Sequence, residues 1–493
     1  MVNKFVKWFL SLILFFPINS NGGNKIKVYF NKSVDYSVSS GNLAMGNVAL
    51  DSLLCSYIHN AQYSIDCCIY SFNYCDYDVG DSLIAAHNRG VSIRFITDNK
   101  HMTGAVWDLF NNNIPVINDA YPPGYDGNYN MHNKFFIFDY RDSSSSTDDW
   151  VWTGSYNVTY WGTSYNAQNV VTIQDHEVAE AYTDEFEEMW GSNSNAPNSA
   201  NSKFSDYKSD NTQHQFNVDG TPVEVYFSPS DNTKDNIVNK ISTVDYEAYF
   251  CMFYFSHQDI SNALKGVWNG WGQNDSCNIR GVFDSGCWID NNSSEARDMA
   301  GIPGSSNPWS PPLDTTSVIV KDNVSGNGLL HHKYLIIDAE HPGSYPWVLT
   351  GSTNWSYWGN NYNDENSIFL QSEDIANLYF QEWMARYEEA GGEFSGICVE
   401  KYEGIATLEV SNYLLVNSTV ITLHLKGNFA YPYIDVIDIA GRKVSSFPLV
   451  RIGDGLYGAV WRGEGNKGRL PCGVYFLTLS NARNLKEKII LIR

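Results

Sequence analysis

Met131-His132-Asn133-Lys134-Phe135-Phe136-Ile137-Phe138-Asp139 is the stretch on which the reading of this chain turns, because it returns in the second half as Leu330-His331-His332-Lys333-Tyr334-Leu335-Ile336-Ile337-Asp338. Both copies read H-x-K-x-x-x-x-D inside an apolar run. Each is followed by the same second phrase, Trp150-Val151-Trp152-Thr153-Gly154-Ser155-Tyr156-Asn157 and then Trp347-Val348-Leu349-Thr350-Gly351-Ser352-Thr353-Asn354. Identical internal spacing in two copies, each leading to W-V-x-T-G-S-x-N, marks a duplicated unit.

The spacing has a physical reading. Lys134 to Phe138, rich in aromatic and branched residues, reads as a buried strand, in which residues two apart share a face. His132 and Lys134 therefore point the same way. Asp139 lies seven residues from His132 and has the opposite parity, so it is expected to anchor or orient and not to react. Gly154-Ser155 follows another short strand, where a turn can present a hydroxyl and then Asn157 beside the same site. An imidazole, an ammonium, a hydroxyl and a carboxamide make a phosphate cradle containing a nucleophile.

Working outward, the repeat extends well beyond the two phrases. Val28-Tyr29-Phe30 recurs as Val225-Tyr226-Phe227, and Ile65 to Phe72 is matched by Tyr249 to Phe255. A helical pattern, Asp81 to Asn88, precedes the strand Ser92 to Asp98, whose counterpart is Asn278 to Asp284. Ile114 to Ile117 precedes the first histidine motif as Ser317 to Val320 precedes the second. Amphipathic helices, Glu177 to Trp190 and Asp374 to Tyr387, close the two copies. Strands alternating with helices predict an α/β fold of two repeats packed as an intramolecular pseudo-dimer, with mostly parallel sheets flanked by helices. Residues 21–190 and 218–402 are the expected repeats. A Ser, Asn and Asp tract, 191–217, is expected to be a mobile polar surface linker. From about Glu403 short alternating strands with turn signals predict a small all-β sandwich over 403–493.

Net charge is −23 and aromatic content is 15%. An acidic balance argues against loose electrostatic binding to nucleic acid or anionic membrane, while leaving room for a locally basic cleft. Lys4 and Lys7 ahead of the apolar run Trp8 to Pro17, then small and polar residues, read as a secretory signal peptide over 1–20. The run is short for a membrane span. Nine cysteines leave at least one unpaired in an exported protein. Cys67 and Cys68 face opposite sides of a strand and suit core packing; Cys277 with Cys287 is the expected disulfide. No cluster has zinc-ligand spacing, so neither metal nor other cofactor is expected. The loop Gly301 to Leu313, with Trp309 among prolines, is a candidate contact with a lipid surface.

The doubled motif resembles the phospholipase D superfamily, whose hallmark is two H-x-K-x-x-x-x-D motifs each followed by Gly-Ser-x-Asn. The resemblance covers about Ile26 to Glu389 and is specific for the superfamily, not for a substrate, since members include phospholipases D, cardiolipin synthases and nucleases. It implies His132 as nucleophile forming a phosphohistidine and His331 as general acid and base. It further implies Lys134 and Lys333 neutralising non-bridging oxygens, with Ser155, Asn157, Ser352 and Asn354 as donors, and Asp139 and Asp338 completing the motifs. The family carboxylate is present as Glu365 but replaced by Gln168 in the first copy, so the two histidines should titrate differently. In the tandem His331-His332, spacing selects His331, and His332 should pack or bond to backbone on the other face.

The end module, with Ile434 to Val444 and Gly473-Val474-Tyr475-Phe476, resembles the immunoglobulin-like sorting modules of the bacterial type IX secretion system and flagellar-hook-capping sandwiches. That implies export or a cell-surface location, with secretion machinery as a partner, while both motifs in one chain can close the site by themselves, so no obligatory protein partner is expected for catalysis. The leading expectation is a secreted phospholipase D-type phosphodiesterase that hydrolyses a glycerophospholipid head group to leave phosphatidic acid. An extracellular nuclease using the same histidine pair is the alternative, and a non-catalytic surface-binding protein the third.

Overall fold

Four consecutive bulky apolar residues, Phe135 to Phe138, must be covered on both faces, and their surroundings are built to do so. The computed structural model describes residues 25–270, 277–313, 315–318, 328–341 and 344–392, and most of those between 407 and 491. The segment read as a signal peptide, and Cys398, lie outside the described residues.

The first repeat forms seven strands: β1 Ile26–Phe30, β2 Ser64–Ile69, β3 Ser92–Thr97, β4 Val116–Asn118, β5 Lys134–Phe138, β6 Trp150–Gly154 and β7 Asn169–Gln174. They assemble in the order β1-β7-β6-β5-β2-β3-β4, with β5 at the centre. The second repeat contributes β8 Gln215–Val218, β9 Thr221–Ser228, β10 Glu247–Met252, β11 Asn278–Asp284, β12 Thr315–Val318, β13 Lys333–Ile337, β14 Trp347–Gly351 and β15 Glu365–Gln371. Their order, β12-β11-β10-β13-β14-β15-β9-β8, repeats the first sheet with β8 added at one edge. Two α/β repeats are therefore present as the sequence implies. The strand directions differ from the expectation of mostly parallel sheets. Only β2-β3-β4 and β10-β11-β12 pair in parallel, and every other pairing in the two sheets is antiparallel. Unbroken apolar runs report burial on both faces and carry no information about direction.

Helices α1 Leu50–Asn60, α2 Val79–Asn88 and α3 Gly104–Asn111 cover the outer face of the first sheet. Next come the short α4 Tyr160–Ser164 and the long α5 His176–Trp190. The second lobe has α6 Thr233–Ile241, α7 Gln258–Trp268 and α8 Ala296–Met299 outside, then the short α9 Tyr357–Asn361 and the long α10 Glu373–Glu389. α5 and α10 lie between the sheets, where Tyr182, Phe186, Tyr379 and Trp383 join Phe135, Ile137, Tyr334 and Ile336 in one core common to both lobes. α5 starts where Asp175 accepts the N–H groups of Glu177 and Val178, and ends at Gly191 with φ 77, the left-handed stop that glycine favours. Cys67 packs into the outer core and Cys68 into the shared one, as strand alternation requires.

Three local expectations fail. The tract 191–217 is not a loose linker: Phe204 enters the shared core, and Lys208 is buried between Glu185 at 2.5 Å and Asp364 at 3.3 Å. Scarcity of apolar residues concealed two aromatic anchors, Phe204 and Phe216, and a buried lysine paired with two carboxylates. Cys277 and Cys287 are both free and stand at opposite ends of β11, a strand whose length of roughly 20 Å forbids a bridge. Their thiols donate to backbone carbonyls of Val244 and Phe255 instead. Trp309 is only 2% exposed, with its backbone N–H on the Asp298 carbonyl, so it is a core residue and not a lipid contact.

Beyond Gly392 the described residues form a separate small all-β region, with sheets of four, five and two strands between Thr407 and Leu491. Among the described residues no helix is long and apolar enough to cross a membrane.

Candidate active site

The two ends of β5 do different work, and so do those of β13. One residue past β5, Asp139 turns into the left-handed region at φ 62 and accepts the N–H groups of Gln62, Tyr63 and Ser64 at 2.7–3.1 Å. Asp338 at φ 54 takes those of Asp245, Tyr246 and Glu247 at 2.8–3.1 Å. Both aspartates fasten the histidine-bearing strand to the loop entering its neighbour, at the end away from the histidines.

At the opposite end the lobes meet. The N–H of His132 donates to the Asp364 carbonyl at 2.9 Å and that of His331 to the Ala167 carbonyl at 3.0 Å. Each histidine thus enters the site hydrogen-bonded to the other repeat. Lys134 Nζ donates to the His132 carbonyl at 2.7 Å and Lys333 Nζ to that of His331 at 2.9 Å, so each ammonium is held beside its own histidine.

The imidazoles are also oriented across the boundary. Nδ1 of His132 lies 2.7 Å from Glu365 Oε2, while Nδ1 of His331 lies 2.9 Å from Gln168 Oε1 and 3.1 Å from the Ser155 carbonyl. Acceptors at Nδ1 leave Nε2 of each ring for chemistry. Ser352 donates to Glu365 at 2.7 Å and Ser155 to Gln168 at 3.0 Å. These hydroxyl protons are therefore engaged with the groups that orient the histidines, a more indirect place than the expected phosphate donors. Asn157 and Asn354 sit at the ends of the same turns, their carboxamide oxygens buried without a hydrogen-bond partner among the described residues. The turns need glycine: at Gly154, φ 149, a Cβ would stand 2.3 Å from the Asn169 carbonyl oxygen, and at Gly351, φ 140, 2.2 Å from that of Asn366.

Two site residues carry no signal in the motif itself. Tyr70, just past β2, lies 4.4 Å from the His132 ring and 5.0 Å from Lys134 Nζ. Phe253, just past β10, lies 4.7 Å from the His331 ring and 4.8 Å from Lys333 Nζ. Their matching positions in the repeat were the available clue. His332 faces away, as expected, but bonds side chains and not backbone: Asn169 at 3.1 Å and Glu382 at 2.9 Å.

Burial makes the site resist positive charge. Burial, followed by the two neighbouring ammonium groups, pushes both His132 and His331 far below the usual imidazole range. Burial lowers Lys134 to about 7 and Lys333 well below its ordinary value, and raises Glu365 to about 8. Among the described residues no group of three His, Cys, Asp or Glu side chains is arranged to hold a metal ion.

A doubled H-x-K strand, crossed histidine contacts and two Gly-Ser turns define a two-lobed site of the phospholipase D type. Residues 54–190 and 237–387 match the family model described as cardiolipin synthase, PLD-like domain, and the chain belongs to this phospholipase D-like family. A mitochondrial cardiolipin hydrolase of Xenopus tropicalis is 32% identical over 133 residues, 26% of this chain and 56% of that protein. The chain spans about half the length of the curated relatives it matches. Among solved structures, phosphatidylserine synthase of Haemophilus influenzae is similar over 74% of this chain and 86% of that one, at 12% identity and a TM-score of 0.47. Nuc of Salmonella typhimurium, a phospholipase D family member, is similar over 34% and 93%, at 24% identity and a TM-score of 0.25.

Proposed function

We propose that the chain is a phosphodiesterase acting by a two-step displacement at phosphorus, with a glycerophospholipid as substrate. The observation that carries this reading is the pair of buried histidines, each with Nδ1 held and Nε2 left open, flanked by two lysines. His132 Nε2 attacks phosphorus; the bond to the leaving oxygen breaks, and that oxygen takes a proton from His331 Nε2. Water, losing a proton to His331, then attacks the phosphohistidine, and the P–N electrons return to His132. Lys134 and Lys333 balance the charge on the non-bridging oxygens, so the scheme calls for no metal. Asp139 and Asp338 hold the strands, and Glu365, Gln168, Ser155 and Ser352 hold the imidazoles.

The assignment of His132 as nucleophile is supported by Glu365, whose carboxylate suits the imidazolium-like phosphohistidine better than an amide does. The choice of lipid is supported by the names of the curated relatives and by the net charge of −23. We further propose that the protein is exported, with the terminal all-β region serving secretion or surface attachment.

The deciding experiment compares turnover of phosphatidylcholine vesicles with that of single- and double-stranded DNA and RNA, in EDTA, with His132→Ala and His331→Ala as controls. Lipid turnover lost by several orders of magnitude in each variant is the expected result. Nucleic-acid cleavage lost in the variants would replace the lipid by a nucleic acid, and activity surviving in either variant would sink the mechanism.

A further inference from the structure

The turn after β3 and the turn after β11 are built alike. Asp98 Oδ1 accepts the Lys100 N–H at 2.8 Å, and Asp284 Oδ1 accepts the Gly286 N–H at 2.8 Å. Asn99–His101 and Ser285–Cys287 each form one turn of 3-10 helix. Their side chains have parted company. Where the second lobe has Gly286 and a buried Cys287 whose thiol turns inward to the Phe255 carbonyl, the first has Lys100 and His101.

His101 lies beside the candidate nucleophile, and Lys100 beside the segment that leads to it. The His101 ring is 4.2 Å from Tyr70, and the same tyrosine is 4.4 Å from His132, so one aromatic ring touches both imidazoles. Nδ1 of His101 is held at 3.1 Å by Asp98, which is fully buried, and the side chain remains 28% exposed. In the protonated ring Nε2 is the second N–H donor. Lys100 is exposed, and its Nζ donates at 2.7 Å to the carboxamide oxygen of Asn130, two residues before His132. Among the described residues Lys100 makes no ion pair, so its charge is unspent in a protein of net charge −23. An ammonium on a neutral partner, and an imidazolium braced by a buried carboxylate, are donors suited to a phosphate oxygen.

We propose that Lys100 and His101 form a second anion subsite, which holds a phosphate next to the scissile one on the same substrate. The substrate is then a compound carrying at least two phosphodiester groups, bound in one direction because the second lobe lacks the pair. This rests on the phosphodiesterase reading above. The shared chemistry has two sources: a lipid with two phosphates joined by glycerol, as in cardiolipin, or the successive phosphates of an oligonucleotide.

The test uses the full chain and two matched substrate pairs: phosphatidylglycerol against cardiolipin in mixed micelles, and TpT against TpTpT. The wild type should prefer the two-phosphate member of one pair, and that pair names the source. In Lys100→Ala and His101→Gln the ratio of kcat/KM, two-phosphate over one-phosphate, should fall by about tenfold through KM, as expected for loss of a charge-assisted hydrogen bond. An unchanged ratio, or a fall in kcat shared by both members, overturns the subsite while leaving the phosphodiesterase reading intact. Absence of turnover of every substrate by the wild type overturns that reading and the subsite with it. Should His101→Gln fail to fold on thermal melting, the exposed Lys100→Ala carries the same comparison.

Discussion

A carboxylate under one imidazole and a carboxamide under the other make the two halves of the site chemically unequal. Glu365 meets His132 at 2.7 Å and Gln168 meets His331 at 2.9 Å, in otherwise matching positions. Replacing the carboxylate, Glu365→Gln, removes the charge that stabilises a cationic ring, and kcat should drop by roughly tenfold to a hundredfold, the worth of a charged hydrogen bond. Gln168→Glu does the reverse for His331. A carboxylate at hydrogen-bond distance favours the protonated ring, raising its folded pKa, so the general acid keeps its proton to higher pH. The alkaline limb of the kcat profile should move up by about one unit or more. A profile unmoved by Gln168→Glu would mean that His331 is not the acid. Lys134 bears on kcat/KM in the same way: its ammonium, lowered by burial to about 7, is lost from the free enzyme at a far lower pH than an exposed lysine would lose it. The free-enzyme profile should therefore decline from near neutrality.

At the scale of elements, the histidine-bearing strands are pinned at the end away from the candidate site. Asp139→Ala leaves three backbone N–H groups on the loop into β2 without their acceptor, of which that of Ser64 is buried, which should cost about 1–2 kcal/mol. The expected signature is a lower Tm with kcat retained well below the transition; loss of kcat in a fully folded variant would give Asp139 a role in the reaction. Lys208→Met leaves Glu185 and Asp364 facing one another in the core, at a cost of about 3–5 kcal/mol. Denaturant unfolding measures that loss. These elements also show what a one-dimensional pattern can and cannot reveal. His132 with Lys134 on one face, Asp139 on the other, and the Gln168–Glu365 mismatch were all legible, because strand parity and repeat register are written in spacing. Antiparallel pairing at β5 was not legible, since apolar runs report burial alone. Lys208, Trp309 and Tyr70 escaped for a related reason: a buried ion pair, a folded-in loop and a ring contact between separate strands depend on what meets across space.

For the whole molecule, the site belongs to neither lobe. Its histidines are oriented by the opposite repeat, and the core around α5 and α10 draws on both sheets. Both repeats lie in one chain, so one molecule holds a full site. Mixing full-length His132→Ala with full-length His331→Ala should therefore restore no activity above the sum of the two. Recovery on mixing, measured by turnover against total protein, would instead reveal lobes exchanged between copies.

Covalent fusion of the two repeats has a further consequence. When a site is shared by identical subunits, every substitution occurs twice, so a change that improves the proton donor is inflicted on the attacking group as well. Here Gln168 can replace a carboxylate on one side while Glu365 persists on the other, and Lys100-His101 can arise opposite Gly286-Cys287. One ancestral half-site has become two separately adjustable ones, and the freedom to differ is what the single chain confers.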